Sequence, residues 1–534
     1  MRKICSAVLL VLSMSSMLVA CVSHGKSEEA VDYRYGNYVQ VNSMEPQDAL
    51  IPAAANEERG GAIVDLLYSG LLYLDARGEV HNEQAEDITK EDSRSYRVRL
   101  REGLIFSDGT PVRAQDYVDS WNYAAREELP LAHFMEPIAG YEIGAEAMSG
   151  LEVIDEHSFT IKLSEPHSDF LTRLAYSAFA VMPPQAIEDM SDFRRAPIGS
   201  GPYVLAEWHH NDSLLLVPNK YYEGGRKAQN EGIRFRHFAT LQAAYYDLLH
   251  GDLDVLDSIP PGEYSSFSAD LAGRSINQPS AIVQTLGIPV DARNFRGQAG
   301  QLRRQAISLA LDRVALTEGV FQGTRTPAKE FTSPVVRGFT DNIAGTDVVN
   351  FDPVHAQELW AQAEAIEPFE GEFEIAYNAD GANQDWVEVA ASQLSDTLHI
   401  PAKGRAYEDF RTFRDALRSH DVDCAFRAGW MADYPAMSNF LEPQYASYGS
   451  ANDTGFHDDH FDQLLTEAAE TGEGQHQQEL YKEAQEILLT QLPAIPLWYS
   501  NVQLGYSEAV YDVEVMWNGV PNYAAMKKVD KSAQ

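Results

Sequence analysis

Two side chains of opposite charge, Arg427 and Asp433, lie six positions apart in the stretch "FRAGWMADYPAMSNFL", residues 426–441. A guanidinium can bind a carboxylate, a carboxylate can bind an ammonium group, and either charge is costly to bury without a partner. Gly429 and Pro435 interrupt the apolar residues of this stretch. The stretch is therefore either a core strand that runs into a loop or the floor of a binding site whose two charges face a ligand.

Three other segments carry residue types that occur in catalytic, phosphate or metal sites. "HDDHF" (457–461) holds metal-capable side chains, but it precedes the helical pattern "FDQLLTEAAE". Acidic residues are favoured at a helix start, so we predict a helix cap, with metal binding as the alternative. Cys424 alternates with apolar residues and is predicted to be a buried strand residue, not a nucleophile. "GSGP" (199–202) lacks the Lys-Ser/Thr of a phosphate-binding loop and is predicted to be a tight turn.

No catalytic string such as G-x-S-x-G or H-E-x-x-H occurs in the chain. Paired carboxylates are frequent in so acidic a sequence and give little support to glycosidase chemistry. We therefore predict that the protein is not an enzyme and has no catalytic residue, metal site or cofactor.

Strand and helix patterns alternate along the chain and must position these residues. Apolar residues at every second position predict strands in "YRVRLREG" and "SFTIKL". Strands are also predicted in "IGSGPYVLAEW", "SLLLVPNKYY" and "IPLWYSNVQLGYS". Apolar residues three and four apart predict helices in "RAQDYVDSWNYA", "QAISLALDRVALTEGVF" (305–321), "HAQELWAQAEA" and "QELYKEAQEILLTQL". The pattern indicates a mixed α/β or α+β protein.

Length and charge limit the class of protein further. A chain of 534 residues is too long to fold around one small hydrophobic core, so two or three domains are expected. The hydrophobic content of 44% is that of an ordinary globular protein. The formal net charge of −39 argues against nucleic acid as a partner, because phosphates require Lys and Arg.

The N-terminus has the pattern of a secretory signal. Arg2 and Lys3 precede an apolar run from residue 4 to residue 19, and the run ends in Leu-Val-Ala-Cys21, which resembles a bacterial lipobox. We predict a signal peptide over 1–20, lipid on Cys21 and a polar tether over 21–30. No later stretch is long and apolar enough to span a bilayer. The mature protein is therefore expected outside the cytoplasm, anchored to the cell membrane.

Four motifs, in order along the chain, resemble those of one known family. They are "YRVRLREGLIFSDGTPVRAQDYVDSWNYA", "IGSGPYVLAEW" followed by "VPNKYY", "RQAISLALDRVAL" and "AGWMADYPAMSNFL". This set is similar to the bacterial oligopeptide-binding proteins of ABC importers, the family 5 extracellular solute-binding proteins. The resemblance covers nearly the whole mature chain.

The resemblance implies a periplasmic-binding-protein-like clamp of two lobes joined by a hinge, with an additional third domain. Lobe I would be discontinuous and the other two units continuous. The implied bounds are 31–64, 191–285 and 490–534 for lobe I, 65–190 for the additional domain and 286–489 for lobe II.

The resemblance also implies that the lobes close over an extended peptide that pairs with protein strands through its main chain. Asp433 would bind the α-ammonium of the peptide, and Arg427 would bind the carboxylate of peptides of one length. The main chain from Ala428 through Gly429 to Trp430 would pair with the ligand. The opposite wall of the cleft would come from the segment after "NSMEP", namely Asp48, Ala49, Leu50 and Ile51.

The implied partners are an oligopeptide, the transmembrane subunits of an ABC permease, and the membrane through the N-terminal lipid, with the protein as a monomer. Other branches of the family imply the same fold with a nickel chelate, haem, oligosaccharide or antibiotic as cargo. An extracytoplasmic hydrolase is the remote alternative.

Overall fold

The computed structural model describes residues 37–529 except 48, 168, 420, 472 and 473, and it leaves out the side chain of Asp192. The predicted signal peptide, tether and lipidated Cys21 lie outside the described residues. Within the described part, no helix is long and apolar enough to cross a membrane. Helices and strands alternate throughout, so the predicted mixed α/β class is confirmed.

One large sheet organises most of the molecule. It has eleven strands among the described residues, and β13 (Arg325–Pro327) joins it beside β17. The other ten, in their order across the sheet, are β15 (Ala402–Tyr407), β14 (Phe373–Asn378), β16 (Ala425–Met431), β12 (Ser275–Gly287), β17 (Ala494–Tyr506), β11 (Val255–Leu256), β1 (Val39–Ser43), β10 (Ile233–His237), β9 (Ser213–Pro218) and β8 (Tyr203–His209).

The two longest strands, β12 and β17, connect the two halves of this sheet. Their pairing is antiparallel, and it shifts register between Pro279 and Val283. The first part of β12 lies on the side of β11 and β1, whereas its last part also pairs with β16. A register shift interrupts the ladder locally, between the part of β12 near β11 and the part that also pairs with β16.

A second sheet of four strands packs around its own core. Its order is β4 (Ala85–Lys90), β5 (Ser95–Leu100), β7 (Ser158–Lys162) and β6 (Leu151–Asp155). The aromatic rings of Tyr117, Trp121 and Phe159 form the centre of this core, with centroids 5.7–5.9 Å apart. The strands predicted at "YRVRLREG" and "SFTIKL" are therefore confirmed. Two short ribbons complete the described strands: β2 (Leu72–Leu74) with β3 (Val80–Asn82), and β18 (Val510–Tyr511) with β19 (Lys527–Lys528).

The described helices alternate with these strands along the chain. They are α1 (Glu58–Leu67), α2 (Ala114–Arg126), α3 (Phe170–Leu174), α4 (Pro184–Glu188), α5 (Met190–Phe193), α6 (Leu241–His250), α7 (Phe267–Asp270), α8 (Gly297–Ala310), α9 (Arg313–Gly319), α10 (Pro353–Ile366), α11 (Gln384–Leu398), α12 (Phe410–Arg418), α13 (Met437–Tyr445), α14 (Asp459–Thr471) and α15 (Gln475–Gln491).

The prediction of one helix over 305–321 is wrong, because two helices, α8 and α9, meet there. Leu311 is extended, and the Asp312 side chain accepts a hydrogen bond from the Ala315 amide, so it caps α9. The Arg313 guanidinium turns inward and donates to buried backbone carbonyls, including that of Pro496. An aspartate side chain can accept a hydrogen bond from a free backbone amide and so cap a new helix. The spacing of the apolar residues alone did not reveal this break.

A buried acidic residue, Glu330, lies beside strand β17. The Glu330 side chain is fully buried and accepts hydrogen bonds from the Thr332 hydroxyl (2.7 Å) and from Gln485 Nε2 (2.6 Å). The Tyr499 hydroxyl, from β17, donates to the Glu330 carbonyl. Burial raises the pKa of Glu330 to about 8, although the two hydrogen bonds oppose the rise. Glu330 is therefore largely protonated in the folded protein at neutral pH.

This raised pKa predicts a specific pH dependence of stability. The folded protein binds the Glu330 proton more tightly than the unfolded chain does, so the free energy of unfolding falls as the pH rises from about 4.5 to about 8. The loss is about 1.4 kcal/mol for each pH unit of that window. We expect Glu330→Gln to remove this pH dependence. In denaturant unfolding, the free energy of unfolding of the variant should therefore rise relative to that of the wild type as the pH rises. The exposed Glu358→Gln is the control, and parallel curves for Glu330→Gln and wild type would contradict the prediction.

Candidate ligand-binding site

Strand β16 has one paired and one open edge. It pairs with β12 from Phe426 to Met431, but it pairs with β14 only at Ala425 and Phe426. Within the described part of the chain, residues 427–431 therefore have no strand neighbour on that second edge. Unpaired amide and carbonyl groups in an extended strand can accept a further extended segment.

The residues just before this edge are buried packing residues. Cys424 is 9% exposed and lies one position before β16, in a small apolar cluster with Phe413 and Phe426. Burial raises the pKa of the Cys424 thiol to about 11. The thiol is therefore protonated at neutral pH, as expected of a packing residue.

Arg427 is half-buried beside the open edge and is held by contacts that include no ion pair. Its Nε donates to Asn378 Oδ1 (2.7 Å), and its guanidinium carbon lies 5.0 Å and 5.4 Å from the ring centroids of Phe410 and Phe413. No carboxylate of the described residues lies within ion-pair distance. Burial lowers the pKa of Arg427, the nearby Arg414 adds to that effect, and the Asp380 carboxylate opposes it. An anionic partner in contact with the guanidinium would favour its charged form further.

A cavity of about 230 Å³ opens beside these residues. It is lined by Thr285, Phe410, Phe413, Arg414, Phe426, Arg427, Ala428, Gly429, Trp430, Gln444, Tyr445, Ala451, Asp453, Thr454 and Ala494. Four predicted site residues, 427–430, thus share one cavity, and a Cβ added at Gly429 would lie 2.9 Å from the Val283 carbonyl oxygen. Glycine permits this close backbone approach.

Asp433 follows the strand and carries an exposed carboxylate. The Asn439 side chain fixes it, because Oδ1 accepts from the Asp433 amide and from Trp430 Nε1, both at 3.1 Å, while Nδ2 donates to Asp433 Oδ2 at 3.4 Å. Among the described side chains, no Lys, Arg or His forms an ion pair with Asp433. Burial and, to a smaller extent, the Asp433 charge raise the pKa of Tyr176 to about 12. The Tyr176 hydroxyl is therefore neutral at neutral pH and adds no charge beside the Asp433 carboxylate.

The loop after Asp433 is anchored on the four-stranded sheet domain. Tyr434 is buried in the core of that sheet, and the guanidinium of Arg173 lies 6.0 Å from its ring centroid. The Ser438 hydroxyl donates to the Asp169 carboxylate. These contacts fix the position of Asp433 relative to the strand edge.

The predicted N-terminal wall is not part of this cavity. Leu50 and Ile51 are 1% and 0% exposed and pack in the core beneath β1, and the Leu50 carbonyl accepts a hydrogen bond from the Tyr68 hydroxyl. Ala49 is half-buried, and Asp48 lies outside the described residues. In this structure the Ile51 amide already donates to the Ala49 carbonyl and the Ile51 carbonyl accepts from the Ala54 amide. The contribution of this segment to ligand binding stays a prediction.

The other candidate segments have structural roles. Asp458 Oδ1 accepts from the amides of His460 and Phe461, each at 3.0 Å, at the start of α14, so the predicted helix cap is confirmed. In "GSGP", a Cβ at Gly199 would lie 1.9 Å from the Leu67 carbonyl oxygen. The segment bends closely past the end of α1 before β8 begins.

The sequence did not point to the residues that hold the two charges in place. Asn378 and Asn439 lie on other elements than β16. Asn439 belongs to the motif "AGWMADYPAMSNFL", but its residue type and position alone do not indicate that it holds Asp433. Phe410 and Phe413 are spaced by three on α12, which indicates only a helix face. Their roles depend on contacts across the fold.

Comparison with known proteins gives a consistent result. The family model "Bacterial extracellular solute-binding proteins, family 5 Middle" matches residues 79–452, well over half of the chain. The chain is 28% identical over 461 residues to the periplasmic murein peptide-binding protein MppA of Escherichia coli, covering 82% of this chain and 83% of that protein. It is 24% identical over 527 residues to the oligopeptide-binding protein OppA of Bacillus subtilis, covering 93% and 94%.

Among solved structures, the chain is similar to MppA in its unliganded open form. The TM-score is 0.83 at 25% sequence identity, with 93% of this chain and 98% of the other covered. The two-lobed binding-protein fold that the sequence predicted is therefore confirmed.

Proposed function

Because the chain belongs to family 5 of the bacterial extracellular solute-binding proteins of ABC importers, we propose that it captures oligopeptides and delivers them to an ABC permease. One observation carries the proposal. Two charged side chains without ion-pair partners, Arg427 and Asp433, flank a strand edge that is open among the described residues.

The open edge of β16 supplies the sequence-independent part of binding. An extended peptide would add its amides and carbonyls to residues 428–430, and the segment at Asp48–Ile51 would form the opposite wall of the cleft. Main-chain hydrogen bonds of this kind give affinity without a strict requirement for side chains. Water in the remaining space adapts to different polar groups.

The two charges supply recognition of the peptide termini. Asp433 would bind the α-ammonium, and Arg427 the carboxylate of peptides whose C-terminus reaches it. Each protein charge is already held by a neutral amide, from Asn439 and Asn378, so ligand binding need not break an existing ion pair. Such preorganisation reduces the cost of binding.

The proposed cellular arrangement follows from the N-terminus. Lipid on Cys21 would hold the protein at the membrane surface, and the tether over 21–30 would let the monomeric binding domain reach the permease. The names of MppA and OppA, a murein peptide-binding and an oligopeptide-binding protein, support peptide as the cargo class.

Calorimetric titration of the purified protein tests the cargo class. We expect peptides with free termini to bind, and an oligosaccharide and a nickel chelate to give no heat of binding. The peptide α-ammonium is what distinguishes these ligands, because the other cargoes would leave Asp433 without a partner. Tight binding of a non-peptide ligand, with no binding of peptides, would refute the proposal.

A further inference from the structure

One exposed carboxylate, that of Asp380, bonds to two residues that hold Arg427 in place from separate elements. Asp380 Oδ1 accepts a hydrogen bond from Nδ2 of Asn378, the last residue of β14, at 2.5 Å. Asp380 Oδ2 accepts from the backbone amide of Phe410, the first residue of α12, at 3.3 Å. The carboxylate therefore joins the end of the strand to the start of the helix.

The two partners of Asp380 are the contacts that fix the Arg427 guanidinium. Asn378 Oδ1 accepts from Arg427 Nε at 2.7 Å, and the Phe410 ring centroid lies 5.0 Å from the guanidinium carbon. An asparagine amide has its acceptor and its donors on opposite ends. Because Nδ2 of Asn378 donates to Asp380, its Oδ1 must face Arg427. Asp380 thus determines the orientation of the amide that holds the arginine.

The loop after β14 brings these polar groups together through a demanding backbone conformation. Ala382 has a φ of 51°, in the left-handed region that residues other than glycine seldom adopt. A Cβ added at Gly381 would lie 2.6 Å from Asn378 Nδ2, so a larger residue would displace the amide. The Asn383 side chain also donates to Asn378 Oδ1, at 3.1 Å. The loop therefore holds the Asn378 amide at both of its polar ends.

Capping of α12 does not by itself explain Asp380. The Asp409 side chain already caps this helix by accepting from the Thr412 amide at 2.8 Å. One such side chain is the usual cap of a helix start. What Asp380 adds is the connection between the helix start and the Asn378 amide.

The arrangement leaves the outer part of the guanidinium available. Among the described residues, only Asn378 accepts a hydrogen bond from Arg427, and it does so from Nε. The two Nη groups can therefore bind a carboxylate. The Asp380 charge also opposes the lowering of the Arg427 pKa by burial and by Arg414, without forming an ion pair. A guanidinium held in this way stays charged and oriented.

We propose that Asp380 is a positioning residue for Arg427. Through Asn378 and Phe410 it holds the arginine by its Nε and by its planar face, and the Nη groups remain for the carboxylate of the peptide. An arginine that is already in place loses less conformational freedom when the ligand binds. This inference rests on the proposed function and adds to it, since the discrimination of peptide length then depends on the loop at 379–383.

Asp380→Asn tests this role by calorimetric titration with a series from dipeptide to pentapeptide. Asparagine has one side-chain oxygen in place of two, so it cannot accept from both Asn378 and Phe410. At the one length whose carboxylate reaches Arg427, we expect binding to weaken about fivefold, which is the contribution of about one hydrogen bond. All other lengths, and the C-terminally amidated form of the affected peptide, should bind as they bind to the wild type.

A double-variant cycle separates positioning from a general structural effect. In a protein that already carries Arg427→Met, Asp380→Asn should cause no further loss, because residues of one hydrogen-bond network do not act additively. Asp385→Asn makes the same change at an exposed acidic residue in the first turn of α11 and should leave every affinity unchanged. Unfolding midpoints verify that each variant is folded.

Three results would overturn the role of Asp380 while leaving peptide binding intact. They are wild-type affinity of Asp380→Asn at the length that Arg427→Met affects, an equal loss at every length, and a loss that adds to that of Arg427→Met. If Arg427→Met itself shows no length-dependent loss, Arg427 binds no terminus and the positioning role is refuted as well. If the wild type binds none of the peptides, the proposed function is refuted, and the role of Asp380 with it.

Discussion

Asp433→Asn should weaken binding of peptides with a free α-ammonium by two to three orders of magnitude. Closure of the lobes would remove the ammonium and the carboxylate from water together, and loss of one partner of such a pair costs about 3–5 kcal/mol. Asparagine keeps the size of the side chain and can still accept a hydrogen bond from Asn439. The change therefore isolates the charge, and calorimetry with a free tripeptide measures it.

Two controls accompany this substitution. Asp423→Asn makes the same change of charge ten positions earlier, at an exposed acid near Arg405, and should leave the affinity unchanged. N-acetylated peptides have no α-ammonium, so they should bind the wild type weakly and should not discriminate between wild type and Asp433→Asn. A variant that binds free peptides with wild-type affinity would refute the role of Asp433.

Arg427→Met should weaken binding of peptides of one length by about ten- to a hundredfold, since a hydrogen bond to a charged group contributes about 1.5–3 kcal/mol. Methionine retains much of the apolar stem that packs near Phe410 and Phe413, so the loss reports the guanidinium. Calorimetry with a series from dipeptide to pentapeptide identifies the length whose carboxylate reaches Arg427. Amidation of the C-terminus of that peptide should reproduce the loss in the wild-type protein.

The control for this experiment is Arg418→Met, which removes an exposed guanidinium at the end of α12. It should shift the affinity of no peptide in the series. An equal loss across all lengths in Arg427→Met would mean that this arginine supports the strand edge generally and does not bind a terminus.

Sequence patterns predicted strand β16, the two charged site residues and the fold because each prediction depends on residues within one short segment or motif. Alternating residues near Cys424 and Phe426 indicate a buried segment, and Arg427 and Asp433 stand within the motif that resembles the family. The motif order also predicted the two-lobed fold. Each of these features depends on residues close together in the chain.

The residues that hold the charges in place could not be predicted in this way. Asn378 ends β14, forty-nine positions from Arg427, and only the sheet brings the two together. Tyr434 is buried in the core of the four-stranded sheet, where the guanidinium of Arg173, more than 250 positions earlier, lies 6.0 Å from its ring centroid. The break between α8 and α9 was missed for a different reason, since Asp312 caps a new helix through a local hydrogen bond within an unbroken apolar pattern.

Native mass spectrometry of freshly purified protein tests the central claim most directly. If the protein captures oligopeptides through their main chain and termini, the spectrum should show the protein with a set of co-purified masses that fragment as peptides of a narrow range of lengths and varied sequence. Denaturation should release them, and Asp433→Asn should carry far fewer. A single bound mass that is not a peptide, retained equally by Asp433→Asn, would contradict the account.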